Sequence, residues 1–133
     1  MKGKAFVWGV FAAVCLMLPL FTFAHHGAAA YDSTKLTTLK GTVTEFRFIN
    51  PHSQISFDVA EASGEIQKWN AEAVSVASMS RDGWTKNTLK PGDQVTVTGN
   101  LAKNGAHIMR LAKIVLADGK VFSIERGEDY ADQ

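Results

Sequence analysis

Leu39 to Ile49, L-K-G-T-V-T-E-F-R-F-I, decides how this chain is read. Leu39, Gly41 and Val43 share one face, and then the alternation changes phase to Phe46 and Phe48. One extra residue near Glu45, a β-bulge, produces such a change and bends a long strand. Asn50-Pro51-His52 ends the run, because Pro51 has no N–H to give to a ladder.

Downstream, period two continues. Ile55, Phe57 and Val59 alternate with Gln54, Ser56 and Asp58, which predicts a second strand with one buried face. Ala62-Ser63-Gly64 reads as a turn and Glu65 to Glu72 as a third strand, with Trp69 its main apolar residue. Residues 73–82, A-V-S-V-A-S-M-S-R-D, lack alternation and stop at Gly83, so a short helix is expected there. Lys90-Pro91-Gly92-Asp93 has Pro and Gly where a type II turn needs them. It opens a fourth strand, Gln94 to Leu101, and Asn104-Gly105 is a hairpin signal before a fifth, Ala106 to Leu116. Asp118-Gly119 leads into a short strand, Lys120 to Ile124.

Three strands, a helix and two more strands, with the first long and bent, is the order of a mainly β, OB-like barrel of five to six strands. A six-stranded sandwich or roll would share most of the pattern. Residues 25–35 form an N-terminal arm in this reading, 36–125 the barrel, and 126–133 a frayed acidic tail.

The start of the chain reads as a signal peptide. Lys2 and Lys4 precede an apolar run within Phe6 to Phe23, and Thr22-Phe23-Ala24 offers small residues at a cleavage site, so residues 1–24 are expected to be removed. An uncleaved membrane anchor is the competing reading, disfavoured by Pro19 in a run of about the ~20 residues a span requires. Cleavage takes away Cys15, Lys2 and Lys4. Of 14 Lys and Arg, 12 remain against 13 Asp and Glu, one net negative charge. Such a chain has no basic excess for nucleic acid or an anionic membrane, and no cysteine for a disulfide framework. A periplasmic or secreted location is expected, with no membrane span after processing.

His25-His26 with Tyr31-Asp32, Gly41-Thr42-Val43, Asn50-Pro51-His52, Gly83-Trp84, Leu89 to Val97 (L-K-P-G-D-Q-V-T-V) and Asp118-Gly119 stand in this order. Together they resemble a family of small secreted bacterial proteins known as a domain of unknown function. The resemblance spans most of residues 25–120 and implies export and a single domain; it brings no ligand or reaction.

Candidate sites are therefore read from residue chemistry. Cleavage after Ala24 makes His25 the first residue, offering a metal its α-amine and imidazole together. The α-amine, with a pKa of ~7.7–8.0, deprotonates more readily than a lysine. A third nitrogen, from His26 or His52, would complete a copper-type set similar to the histidine brace of copper oxygenases and periplasmic copper carriers. Adjacent histidines in a loose terminus also bind metal incidentally, and ordinary solvated histidines are the plainer reading. Tyr31 is read as docking the arm, Asp32-Ser33-Thr34 as a turn or cap, and His107 as a rim residue.

The second candidate is the face of strands two and three, where OB-type domains bind extended ligands. Gln54, Ser56, Asp58, Lys68, Trp69 and Asn70 would form it; Trp69 and Trp84 are equally read as core. Mixed charge there points to a small molecule, glycan or protein ligand and away from nucleic acid. Glu72, beside the expected helix, would favour its N-terminus. The sequence shows no nucleophile motif, phosphate loop or H-E-x-x-H helix, and no carboxylate pair set at acid–base spacing. The expected function is an exported, non-enzymatic binding module. Its rivals are a copper carrier or oxidase and an envelope interaction domain that docks through tail and sheet edge.

Overall fold

A computed structural model describes residues 27–124 of the 133. The readings of the signal peptide, of His25 and His26 and of the acidic tail lie outside these residues. A single 3-10 turn, Ala28–Ala30, precedes β1 (Thr37–Arg47), β2 (Gln54–Ala60), β3 (Ile66–Glu72), α1 (Val76–Arg81), β4 (Gln94–Leu101), β5 (Ile108–Leu116) and β6 (Val121–Ser123).

The sheet runs β3-β2-β1-β4-β5-β6, and β3 also pairs with β5. That second pairing is parallel, Asn70 to Glu72 against Ile108 to Arg110, and it closes five strands into a barrel with β6 added along β5. Closure with one helix between β3 and β4 is the OB-like architecture, and it rules out the sandwich. The register of β1 against β2 shifts between Val43 and Glu45, where the phase change in the sequence required a bulge. Thr44, the extra residue, is exposed.

Inside the barrel, Val43, Ile55, Phe57, Ala71, Val97, Met109, Leu111 and Ile114 are buried to 1% exposure or less. Each large apolar chain so buried contributes about 1.5–3 kcal/mol. Trp84 is also fully buried, with Phe122 at 5.0 Å and Phe46 at 6.0 Å between ring centroids. Gly41 lets β1 cross β2 closely, since a Cβ there would lie 2.5 Å from the Asp58 carbonyl oxygen and 2.8 Å from the Phe57 ring.

The helix is shorter than residues 73–82. Ser75 caps it, its hydroxyl accepting from Ser78 N, so Ala73 and Val74 stay extended and buried. At Lys90 to Asp93 the type II turn is present: Gly92 has φ +94°, and Asp93 N donates to the Lys90 carbonyl at 3.1 Å. Among the described residues no helix is long and apolar enough to cross a membrane.

Candidate functional site

The β2–β3 hairpin builds the site. Its turn closes where Glu61 N donates to the Glu65 carbonyl at 2.8 Å, and the ladder then pairs Asp58 with Lys68, Ser56 with Asn70 and Gln54 with Glu72. The intervening pairs, Phe57 with Trp69 and Ile55 with Ala71, belong to the core side. Alternation thus separates two sets of side chains. Five of the six expected ligand-face residues, Gln54, Ser56, Asp58, Lys68 and Asn70, form one polar row; the sixth, Trp69, pairs with Phe57 and packs against the core while still lining the groove at the row's border.

The row is loosely tied. Asn70 Nδ2 donates to Ser56 Oγ at 3.3 Å, Lys68 Nζ stands 3.7 Å from Asp58 Oδ1, and Arg47 Nη1 donates to Gln54 Oε1 at 3.4 Å. Lys68 is 86% exposed, so its ion pair is worth at most about 1 kcal/mol. A groove of about 270 Å³ borders the row, lined by Thr44, Ser56, Phe57, Asp58, Lys68, Trp69, Asn70 and His107. Three of these residues, Thr44, Phe57 and His107, were not read from the sequence as part of this face. The His107 carbonyl accepts from Asn70 N at 3.0 Å, and its ring stacks on Trp69 with centroids 4.6 Å apart and planes 15° from parallel.

At the other end of β3 the polar contacts are tight. Beyond the last paired residues the ladder continues irregularly, Ser53 N donating to the Val74 carbonyl at 3.0 Å and Ala73 N to the Ser53 carbonyl at 2.8 Å. Ser53 is fully buried and its hydroxyl donates to the Ile49 carbonyl, so the loop that carries His52 is held. His52 Nδ1 lies 2.6 Å from Glu72 Oε1. A carboxylate only accepts, so this nitrogen carries the hydrogen. Tyr31 donates its hydroxyl to the other oxygen, Glu72 Oε2, at 2.9 Å. Both oxygens of Glu72 are therefore engaged, and the helix start at Val76 is capped by other groups: Asn50 Oδ1 accepts from Val76 N at 3.0 Å. Burial first, and then the hydrogen bond to Glu72, push the Tyr31 phenol up to about 12.

Tyr31 brings the arm with it. It bridges to Ala102, while Asp32 N donates to the Leu101 carbonyl at 2.9 Å and Lys103 N to the Ala30 carbonyl at 3.0 Å. Asn100, buried in β4, donates from Nδ2 to the carbonyls of Asp32 at 2.8 Å and Lys35 at 3.1 Å. Asp32 forms the expected turn: its carboxylate accepts from Thr34 N and, at 2.6 Å, from Thr34 Oγ1. Those bonds hold its carboxyl below the usual range.

Of the expected metal set, His52 is thus placed, and His25 and His26 precede the first described residue. Among the described residues no three His, Cys, Asp or Glu side chains gather closely enough to hold an ion. The partners of His52 were missed in the sequence although their signal was present. A hairpin centred on Ser63 pairs residues equidistant from it, which sets Gln54 opposite Glu72 and His52 just beyond.

Comparison with known proteins adds a family. The model of the Family of unknown function (DUF6152) matches residues 13–109, most of the chain, and the chain belongs to that family. No curated protein matches it. Among solved structures, it is similar to the mitochondrial single-stranded DNA binding protein Rim1 of S. cerevisiae, at 14% identity and a TM-score of 0.48, over 62% of this chain and 94% of that one. It is also similar to the ZRD-deleted mutant of TiaS in complex with agmatine, at 20% identity and a TM-score of 0.44, over 77% of this chain and 25% of that one.

Proposed function

We propose that this member of a family of unknown function is an exported periplasmic binding module, cut after Ala24, that takes a small polar ligand of oligosaccharide type on the polar row of β2 and β3. In this reading residues 25–35 are its arm, 36–125 its barrel and 126–133 an acidic tail, and it binds without catalysing a reaction. The observation that carries the proposal is the cross-strand register Asp58/Lys68, Ser56/Asn70, Gln54/Glu72 beside a groove. Acid, base, hydroxyl and amide alternate along it within reach of one extended ligand. A polyhydroxylated chain offers both donors and acceptors at such intervals, and the His107 ring supplies an exposed flat surface. Nucleic acid fits less well, because Lys68 is opposed by Asp58 and a phosphate chain needs a basic track with aromatic platforms.

Amide chemical-shift mapping on the processed protein tests this, with a panel of soluble oligosaccharides and one single-stranded oligonucleotide as probes. Saturable shifts at Ser56, Lys68 and Asn70 with a saccharide, weakened at least fivefold in Asn70→Ala, are expected. Shifts with the oligonucleotide alone, or with none of the probes, would contradict the reading.

A further inference from the structure

The polar row of β2 and β3 does not stop where the paired strand stops. Ser53, Ile55 and Phe57 are buried, while His52, Gln54, Ser56 and Asp58 are partly exposed, so burial alternates without a break from residue 52 to residue 58. The two backbone bonds of Ser53, to Val74 and Ala73, carry the extended chain past Gln54. Side chains two residues apart on such a chain share a face. His52 therefore stands one step beyond Gln54 on the row, and its partner Glu72 is the residue that pairs with Gln54 across the hairpin. Resting on the saccharide reading of this row, we propose that His52 is its terminal specificity residue. Its Nε2 accepts a hydrogen bond from a hydroxyl of the oligosaccharide, so this end of the site takes a neutral, hydroxyl-bearing unit and refuses one that can only accept.

Three observations carry this assignment. Glu72 Oε1 lies 2.6 Å from Nδ1, so in the neutral ring Nδ1 keeps the hydrogen and the lone pair is on Nε2. That Nε2 has no hydrogen-bond partner among the described residues, and the side chain is 40% exposed. The ring is also held against turning: the other Glu72 oxygen accepts from Tyr31 at 2.9 Å, and the loop is pinned on both sides of His52. Before it, Asn50 Oδ1 accepts from Val76 N at 3.0 Å; after it, the Ser53 hydroxyl donates to the Ile49 carbonyl at 3.1 Å. Selectivity follows from the fixed tautomer. An O–H meets the Nε2 lone pair as a donor, whereas a sulfate oxygen meets it lone pair to lone pair. An acceptor already in place loses little freedom when the ligand arrives. Glu72 is the positioning residue, since it touches no ligand and decides which nitrogen accepts. From Asp58 to His52 the row runs about 20 Å at a strand's rise of about 3.3 Å per residue, a span that calls for a chain of several sugar units.

The test follows the imidazole nitrogens of His52 in the processed protein, without metal and at a pH where the ring is neutral, during titration with cello- and chito-oligosaccharides of two to six units. With the longest saccharide that binds, the Nε2 resonance is expected to move saturably, with the same dissociation constant as the amides of Ser56 and Asn70, while Nδ1 stays protonated. His52→Phe and His52→Ala, each with the amide spectrum of the barrel unchanged, should weaken that saccharide about three- to tenfold, the size of one hydrogen bond. Glu72→Gln should weaken it similarly and move the imidazole hydrogen towards Nε2, a change of tautomer that a merely structural role would not produce. Sulfate should leave the Nε2 resonance in place. With amide shifts at Ser56 and Asn70 intact, an unmoved Nε2 resonance, or affinity within twofold of the parent in both His52 variants, would overturn the assignment of His52 and leave the saccharide reading of the row standing. Saturable movement of Nε2 with sulfate would make the ring a cationic anion site and overturn the selectivity. No shift at Ser56, Lys68 or Asn70 with any saccharide would overturn the reading of the row, and this inference with it.

Discussion

The two ends of β3 treat polar groups in opposite ways. Around Lys68 and Asn70, the side-chain polar contacts are 3.3 Å or longer and the groove beside them is open to water. Around Glu72, both carboxylate oxygens are committed at 2.6 and 2.9 Å, one partner is a buried tyrosine and the histidine's loop is fixed by a buried serine. Weak, exposed contacts can be exchanged for contacts to a ligand at little cost, whereas committed ones hold a group in one orientation. The first end is built to adapt and the second to position.

Collapse of the support common to both ends is the largest effect available. Phe57 is 1% exposed under the row, and Phe57→Ala should cost about 3–5 kcal/mol in urea unfolding. A cost under about 1 kcal/mol would mean that the row does not rest on this core.

Next, Tyr31→Phe separates the positioned end from the barrel. Losing a hydrogen bond to a charged group should cost about 1.5–3 kcal/mol. Hydrogen exchange should quicken in residues 30–35 and leave the ladder amides of β1 and β2 unchanged. The alkaline limb gives the sign independently. The Tyr31 phenol is raised from 10.0 to about 12 in the folded protein, so the folded state holds this proton more tightly. The resulting stability is fully present below pH 10 and is lost as the pH rises towards 12. The parent should therefore lose stability more steeply than Tyr31→Phe over that window, and parallel curves would remove Tyr31 from the account.

Ser75→Ala, at the cap of α1, should cost about 1 kcal/mol by urea unfolding and leave both ends of β3 unchanged by amide shifts. Lys68→Ala should change stability least, by under about 1 kcal/mol, because its ion pair is solvent-exposed. A larger loss there would make the row structural rather than adaptable.

The adaptable end was legible in the sequence because it follows from local rules. Alternation in I-S-F-D-V placed Ser56 and Asp58 together, the phase change after Val43 announced the bulge, and Pro91-Gly92 announced the turn before β4. Trp69 was ambiguous for the same reason: periodicity assigns a residue to a face, but a large ring at a barrel's edge satisfies either assignment. In the positioned end, the contact between His52 and Glu72 depends on register across a hairpin. Tyr31's place depends on closure of the arm onto β4, which no local pattern encodes. Glu72 was assigned to the helix start because charge at a helix N-terminus is a local rule; the extended Ala73 and Val74 move the helix away, and tertiary partners take the carboxylate.

Long-range proton–nitrogen correlation on the His52 imidazole, at a pH where it is neutral and without metal, tests most directly that this end is positioned. The account predicts one dominant tautomer with the hydrogen on Nδ1, shifting towards the mixture of free histidine in Glu72→Gln. A dominant Nε2–H form, or the free-histidine mixture in the parent protein, would contradict it.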